Sequence, residues 1–318
     1  MNKHIYCTLG PSTLNKKFLK YASKKVNLLR LNMSHIDIKN LQKNINYVKK
    51  YSKVQICIDT EGAQIRSKVL KEKIFKKNKI LEIYKSQKNK FCLYPSTVFD
   101  KLKKKDILDI GFEGLKVQIR NIKKDKCICK VKETGKLENN KGIYITNRKI
   151  KLKYLTSKDY KAIEIAKKNK IRYFALSFVN SHKDIINFNK ILKDQIKIFK
   201  IETSSAIKNL NKIIKYGDNF LIDRGDLSKE IGIENIPVAQ RKILKLSNKR
   251  KKNVYIATNF LESMISKSSP TRAEVNDIYN ALELGAKGIV LAAETAIGNY
   301  PKECIELLRK IFKIFKKN

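Results

Sequence analysis

Eight short apolar segments recur along the chain, and they constrain its fold more than any other feature of the sequence. Each segment is followed by a polar or glycine-containing corner and then by a stretch with helical periodicity. The segments are residues 5–8, 27–31, 54–59, 173–178, 197–201, 220–223, 254–257 and 288–291. Eight alternating strand and helix units are the number that closes a parallel barrel. The sequence therefore predicts an α/β protein with a TIM-type (βα)8 barrel.

The interval between the third and fourth segments is too long for a single strand–helix unit. Its middle contains short stretches of alternating polarity at residues 107–110, 115–119, 127–131 and 142–145, which is typical of half-buried strands. We therefore expect a β-rich domain inserted over residues 67–151. The barrel would then consist of residues 1–66 and 152–318, with helical patterns such as 157–168, 238–248 and 271–284 in its outer ring.

The chain carries a formal net charge of +42, from 71 Lys and Arg against 29 Asp and Glu. Such a surplus can indicate a nucleic acid or membrane partner. Here the excess is mostly lysine and is spread along the whole chain, which favours a generally solvated lysine-rich surface over a dedicated polyanion-binding surface. The charge should still attract phosphorylated metabolites. A basic nucleic-acid-binding protein on the same barrel remains an alternative.

The six cysteines show no paired CxxC spacing, which favours core thiols over a zinc site. No segment has the length and apolar character of a signal peptide or a membrane span, so no membrane partner is expected. Cysteines without a disulfide pattern are typical of a reducing compartment, which predicts a cytoplasmic protein.

Polar residues follow the apolar segments at the positions where a barrel collects its catalytic groups. They are Arg30, Asn32, Ser34, His35, Asp59, Thr60, Lys200, Glu202, Asp226, Thr258, Glu294 and Thr295. Because the carboxyl ends of all eight strands meet on one face, these side chains are expected to converge. Glu202 and Asp226 offer oxygen ligands for a divalent cation, and Arg30 and Lys200 offer positive charge for phosphate. The inventory suits phosphoryl transfer.

Each of these residues also has an ordinary structural interpretation. An aspartate that opens a helix can be an N-cap instead of a metal ligand. Asn32 and Ser34 could satisfy the backbone of their loop, and His35 could be a loop hydrogen-bonding group. The joint occurrence on successive strand ends favours the functional interpretation.

Seven motifs make the pattern specific to one family. They are CTLGPS (7–12), LRLNMSH (29–35), IDTEG with QIR (58–62 and 64–66), DRGDL (223–227), ATNFLESM (257–264), PTRAE (270–274) and ETAIGNYP (294–301). In order and over nearly the whole chain, they resemble the motifs of pyruvate kinase. Lys141-Gly142 is similar to a Lys-Gly pair near the end of the small β-barrel lid domain that the family carries, which implies that the insertion is this lid.

The resemblance implies transfer of the phosphoryl group of phosphoenolpyruvate to ADP in glycolysis, with these two molecules as partners. Lys200 matches the catalytic lysine that neutralises the migrating phosphoryl group. Glu202 and Asp226 match ligands of Mg²⁺ (or Mn²⁺). The implied substrate-binding residues are Arg30, Lys200, Gly225, Asp226 and Thr258. The implied K⁺ ligands are Asn32, Ser34, Asp59 and Thr60, and the implied nucleotide contacts are Asn32, His35, Arg66 and Lys141.

The chain also departs from the family pattern. The neutral Gln64 replaces an acidic residue tied to potassium dependence, which leaves the K⁺ requirement open. Ala292 and Ile297 replace a serine and a lysine beside the active site. A degenerate relative with weak or no catalysis is therefore the main alternative.

After Pro301 only enough residues remain to complete the last barrel helix. By resemblance, the C-terminal domain that carries the effector site and part of the oligomer interface is expected to be absent. A homo-oligomer would then have to form through barrel contacts.

Overall fold

A closed barrel of eight parallel strands forms the larger part of the protein. The computed structural model describes residues 3–87, 90–111 and 114–317. The barrel strands are His4–Thr8, Leu28–Asn32, Ile56–Asp59, Tyr173–Leu176, Ile196–Ile201, Asn219–Asp223, Asn253–Ala257 and Gly288–Leu291. Each strand pairs in parallel with the next along the chain, and the eighth pairs with the first. The predicted α/β class and (βα)8 barrel are confirmed.

Helices follow the barrel strands and cover their outer faces. They are Lys16–Ala22, Ile38–Tyr51, Ser157–Lys168, His182–Ile191, Ser204–Lys208, Leu210–Ile213, Arg224–Ile231, Ile236–Lys249, Arg272–Glu283, Ala293–Ala296 and Pro301–Lys317. Short 3-10 helices span Ile233–Asn235 and Glu262–Ile265. Among the described helices, none combines the length and the apolar character needed to cross a bilayer.

The barrel interior is filled by alternate residues of the strands. They are Tyr6, Leu28, Cys57, Ala175, Ile198, Leu221, Tyr255 and Val290, with Ala257 further along the seventh strand. The residues between them, such as Ile5, Leu29 and Phe199, pack against the helices in a separate cluster. Because side chains alternate along a strand, the residue two positions beyond each interior residue also faces inward, at the carboxyl end of the barrel.

The chain divides into two compact units, of which the barrel unit comprises residues 1–62 and 154–318 and the second unit comprises residues 63–153. Residues 67–151 were expected from the sequence. Seven strands close into a small, mainly antiparallel barrel: Ile65–Lys68, Ile80–Tyr84, Cys92–Tyr94, Ile107–Ile110, Leu115–Ile122, Lys126–Glu133 and Gly142–Ile145. Lys73–Phe75 and Gly135–Leu137 add a two-stranded sheet, and Ser96–Lys101 is a 3-10 helix. Cys127 and Cys129 are fully buried in the core of this unit.

Candidate active site

Six inward-facing polar residues gather at the carboxyl end of the barrel strands, as the alternation of side chains requires. They are Thr8, Arg30, Asp59, Ser177, Lys200 and Asp223, and all six are buried. Burial of so many polar and charged groups is costly unless they pair with one another or with a ligand.

Lys200 lies at the centre of this group, on the fifth barrel strand. Its Nζ atom is 3.0 Å from Glu202 Oε2, 3.1 Å from Asp223 Oδ2 and 3.8 Å from Asp59 Oδ2. It also donates a hydrogen bond of 3.3 Å to the Ser177 hydroxyl. Burial acts to lower the pKa of Lys200, but the three carboxylates outweigh burial and raise the pKa above its ordinary value. Lys200 is therefore a permanent buried cation.

Arg30 provides a second buried cation beside Lys200. Its Nε atom donates to Asp59 Oδ2 at 2.5 Å, and its Nη1 atom donates to the Thr8 hydroxyl at 2.8 Å. Burial acts to lower the pKa of Arg30, and the charges of Asp59 and Asp223 more than compensate. Asp59 is held on its other side, where its Oδ1 atom accepts from the Ser177 hydroxyl at 3.1 Å.

Three carboxylates form a candidate metal centre next to the two cations. Glu202, Asp223 and Asp226 each offer one oxygen, and these oxygens lie within 4.8 Å of one another. Glu202 Oε1 accepts from the Phe178 N–H at 2.6 Å. Its Oε2 atom is buried and accepts no hydrogen bond from the described residues, because Lys200 approaches it outside hydrogen-bonding geometry. A buried carboxylate oxygen that accepts no hydrogen bond fits a divalent cation, which favours carboxylate ligands.

The electrostatics of Glu202 agree with that assignment. Burial, followed by the negative charges of Asp223 and Asp226, raises the pKa of Glu202 to about 8, although Lys200 acts in the opposite direction. Added positive charge at the cluster would offset this repulsion and favour the ionised carboxylate.

The turn after the seventh strand meets the start of the helix after the sixth. The Gly225 N–H donates to Thr258 Oγ1 at 2.8 Å, at the beginning of helix Arg224–Ile231. Thr258 has a left-handed backbone with φ of 72°, and Arg224 secures it by donating to its carbonyl at 2.6 Å and 3.0 Å. The N-terminus of helix Arg224–Ile231 and the Thr258 hydroxyl together form a candidate anion-binding site.

The site residues predicted after the second strand form hydrogen bonds within their own loop. Asn32 Oδ1 accepts from the Ser34 N–H at 3.0 Å, and the exposed His35 donates its N–H to the Asn32 carbonyl at 3.1 Å. Asn32 thus makes the loop hydrogen bond of its structural interpretation, and its ligand role stays a prediction. Asn32 also lies opposite Asp59 across the paired strands, and the Thr60 hydroxyl accepts from the Ser177 N–H at 3.0 Å. The K⁺ site at these residues stays a prediction.

Arg66 and Lys141, two of the predicted nucleotide contacts, lie in the inserted unit. Arg66 pairs with Gly142 across two antiparallel strands, and its Nη1 atom donates to the Asn140 carbonyl at 3.2 Å. Lys141 Nζ lies 3.5 Å from Glu138. The fold thus brings these two partly exposed cations to neighbouring strands, and their nucleotide role stays a prediction.

The sequence of this chain matches a known protein family over most of its length. Residues 1–305 match the family model described as pyruvate kinase, barrel domain. The chain belongs to the pyruvate kinase family. It is 32% identical over 97% of its length to pyruvate kinase of Thermotoga maritima and 34% identical over 98% to that of Methanocaldococcus jannaschii. Plastidial pyruvate kinase 3 of Arabidopsis thaliana is 32% identical over 96% of this chain.

The match covers only part of these relatives. The chain spans 70% of the Thermotoga protein, 68% of the Methanocaldococcus protein and 57% of the Arabidopsis protein. The resemblance inferred from the ordered motifs is confirmed at the level of the family.

Three residues of the pyruvate kinase-like site were not assigned from the sequence: Thr8, Ser177 and Asp223. Each lies two positions beyond an interior residue of its strand, namely Tyr6, Ala175 and Leu221. The alternation of side chains could have identified all three. In contrast, Glu294 is buried and accepts from the backbone N–H groups of Leu261 and Ala292, so it secures loops after the barrel strands.

Proposed function

We propose that this chain transfers the phosphoryl group of phosphoenolpyruvate to ADP. The bond between phosphorus and the enol oxygen breaks, a bond to a terminal oxygen of ADP forms, and the enolate of pyruvate is then protonated on carbon. The observation that carries the proposal is the buried ammonium of Lys200, held among three carboxylates at the catalytic face of a pyruvate kinase-family barrel.

Lys200 and Arg30 supply the positive charge that phosphoryl transfer needs. Such transfer is catalysed mainly by positioning and by stabilising charge on the phosphoryl oxygens. Both cations are already desolvated and fixed by carboxylates, so little reorganisation is required when a phosphate replaces a carboxylate partner. Lys200 would contact the migrating group, and Arg30 would bind the phosphate from the side of the second strand.

Glu202 and Asp226 would hold Mg²⁺ or Mn²⁺. A bound divalent cation supplies further charge neutralisation for the phosphoryl group. The Phe178 N–H holds one oxygen of Glu202, which leaves the other oxygen directed for ligation. Binding of the cation in this way is supported by the clustering of the carboxylates.

The substrate carboxylate would bind at the start of helix Arg224–Ile231. The N–H groups of Gly225 and Asp226 and the hydroxyl of Thr258 are the donors, and the helix N-terminus favours a negative group. In the structure described here, the Gly225 N–H and the Thr258 hydroxyl contact each other at 2.8 Å, so one carboxylate could engage both.

ADP would contact Asn32, His35, Arg66 and Lys141, and K⁺ would bind at Asn32, Ser34, Asp59 and Thr60. Gln64 carries no charge and its amide donates to the Tyr144 hydroxyl at 2.9 Å. The neutral Gln64 leaves the K⁺ requirement open, and the rate of pyruvate formation with K⁺ and with Na⁺ in its place measures it. The cytoplasmic location and a homo-oligomer through barrel contacts are further parts of the proposal.

Pyruvate formation by the purified chain tests this function, with phosphoenolpyruvate, ADP and Mg²⁺ and with lactate dehydrogenase and NADH as the reporter. We expect NADH oxidation that requires all three components. A folded chain that binds Mn²⁺ but forms no pyruvate would instead favour the degenerate relative that Ala292 and Ile297 suggest.

A further inference from the structure

We propose, on the basis of the function proposed above, that Asp223 is a third carboxylate ligand of the divalent cation and gives up its ion pair with Lys200 when the cation binds. The family resemblance assigned no role to this residue. Its assignment comes from its position among the other charged groups of the site.

Asp223 ends the sixth barrel strand and is buried at the catalytic face. One of its oxygens lies within 4.8 Å of the ligand oxygens of both Glu202 and Asp226. Two oxygens that share one Mg²⁺ at about 2.1 Å each can be at most about 4.2 Å apart. The cluster is therefore close to ligating distances, and small side-chain rotations would bring all three oxygens onto one cation.

The charges of the buried side chains also favour a cation at this position. Two buried cations, Arg30 and Lys200, lie among the three buried carboxylates of Asp59, Glu202 and Asp223. This group therefore carries one negative charge more than its cations neutralise, and such an excess is costly in a buried site. A divalent cation would restore the balance at the point where Glu202 Oε2 accepts no hydrogen bond from the described residues.

The exchange has a consequence for the reaction. In the structure, Asp223 Oδ2 lies 3.1 Å from Lys200 Nζ. Once Asp223 turns to the cation, Lys200 loses one carboxylate partner and its charge becomes available to the phosphoryl group. Binding of the metal would then release Lys200 from one carboxylate partner before phosphoryl transfer begins.

A simpler role for Asp223 would be to hold Lys200 in place without touching the metal. Titration with Mn²⁺ in the absence of substrates, followed by the paramagnetic resonance signal of free Mn²⁺, separates the two roles. The proteins are the wild type, Asp223→Asn, Lys200→Met and the double variant. Because Lys200→Met removes the ion pair, any effect of Asp223→Asn in that background acts at the metal site itself and not through Lys200.

We expect Asp223→Asn to raise the Kd for Mn²⁺ at least tenfold in both backgrounds. An unchanged Kd, or a change that disappears in the Lys200→Met background, would overturn the inference, as would a wild type that binds no Mn²⁺. Asp218→Asn is the matched control, because Asp218 lies just before the same strand with its side chain 83% exposed and should leave the Kd unaltered. If the amide variant does not fold, Asp223→Ala provides the same comparison.

This titration is independent of turnover. If the wild type converts phosphoenolpyruvate but Asp223→Asn binds Mn²⁺ normally, only the role of Asp223 fails. If Asp223 contributes to Mn²⁺ binding but the wild type forms no pyruvate, the proposed function fails and the ligand assignment stands.

Discussion

The charge on Lys200 is the single feature that the mechanism depends on most. Replacing Lys200 with Met keeps much of the volume and removes the charge that we propose stabilises the phosphoryl group. We expect the catalytic rate to fall by a factor of a hundred or more, equivalent to about 3 kcal/mol of barrier. Initial rates measure the effect, and circular dichroism checks that the variant is folded. Full activity in a folded Lys200→Met variant would contradict the mechanism.

A second prediction concerns Glu202 and Asp226, the two proposed metal ligands. Glu202→Gln and Asp226→Asn each remove one anionic oxygen from a cation that prefers carboxylates. The Mg²⁺ concentration for half-maximal rate should therefore rise at least tenfold in each variant, whereas Asp218→Asn should leave it unchanged. Unaltered Mg²⁺ dependence in both variants would place the cation elsewhere.

The turn after the third strand is held by a close approach to Ser177 and by hydrogen bonds to Asp159. Gly62 has φ of 66°, and an added Cβ would lie 2.8 Å from Ser177 Cβ. The N–H groups of Glu61 and Gly62 donate to Asp159 at 2.8 Å and 3.1 Å, at the start of helix Ser157–Lys168. The turn thereby sets the position of Asp59 and Ser177 in the site.

Gly62→Ala should therefore destabilise the protein and slow the reaction. We expect a loss of about 2 kcal/mol or more in the free energy of unfolding, from backbone strain together with the steric clash. The control is Gly114→Ala, where φ is 78° but the nearest atom to an added Cβ is 3.6 Å away. Equal losses in chemical denaturation of both variants would show that contact with Ser177 is unimportant.

Local signals allowed several elements to be predicted from the sequence. The helix expected at residues 157–168 occurs at those residues, because a capping box of Thr156 and Asp159 starts it and its apolar positions repeat at helical spacing. The fourth strand was expected to reach residue 178 but ends at Leu176, because Phe178 adopts a left-handed backbone with φ of 53°. The Phe178 N–H also donates to Glu202, a partner 24 residues away that the local sequence pattern does not reveal.

Other features depend on partners distant in sequence. The strand Cys92–Tyr94 is only three residues long and was not predicted, since pairing with Tyr84 and Arg66 defines it. Lys200 and Glu202 could be selected because they end a clear apolar segment. Asp223 was within a recognised motif, but its proximity to Lys200 appears only when strands five and six are aligned.

The net charge of +42 over the whole chain should increase the rate at which anionic substrates meet the protein. Salt screens such attraction over a Debye length of about 10 Å at 0.1 M. We expect kcat/KM for phosphoenolpyruvate to fall several-fold when tetramethylammonium chloride is raised at constant K⁺ and free Mg²⁺, while kcat changes little. A constant kcat/KM would mean that the lysine-rich surface does not assist binding.

We propose that the barrel of this pyruvate kinase family member performs phosphoryl transfer with Lys200 as its catalytic cation. Phosphorus NMR of the purified chain with phosphoenolpyruvate, ADP and Mg²⁺ observes that transfer directly. With the wild type, we expect the phosphoenolpyruvate signal to be replaced by that of the γ-phosphate of ATP, whereas with Lys200→Met the phosphoenolpyruvate signal should remain essentially unchanged. A persistent phosphoenolpyruvate signal with folded, Mn²⁺-binding wild type would contradict this proposal.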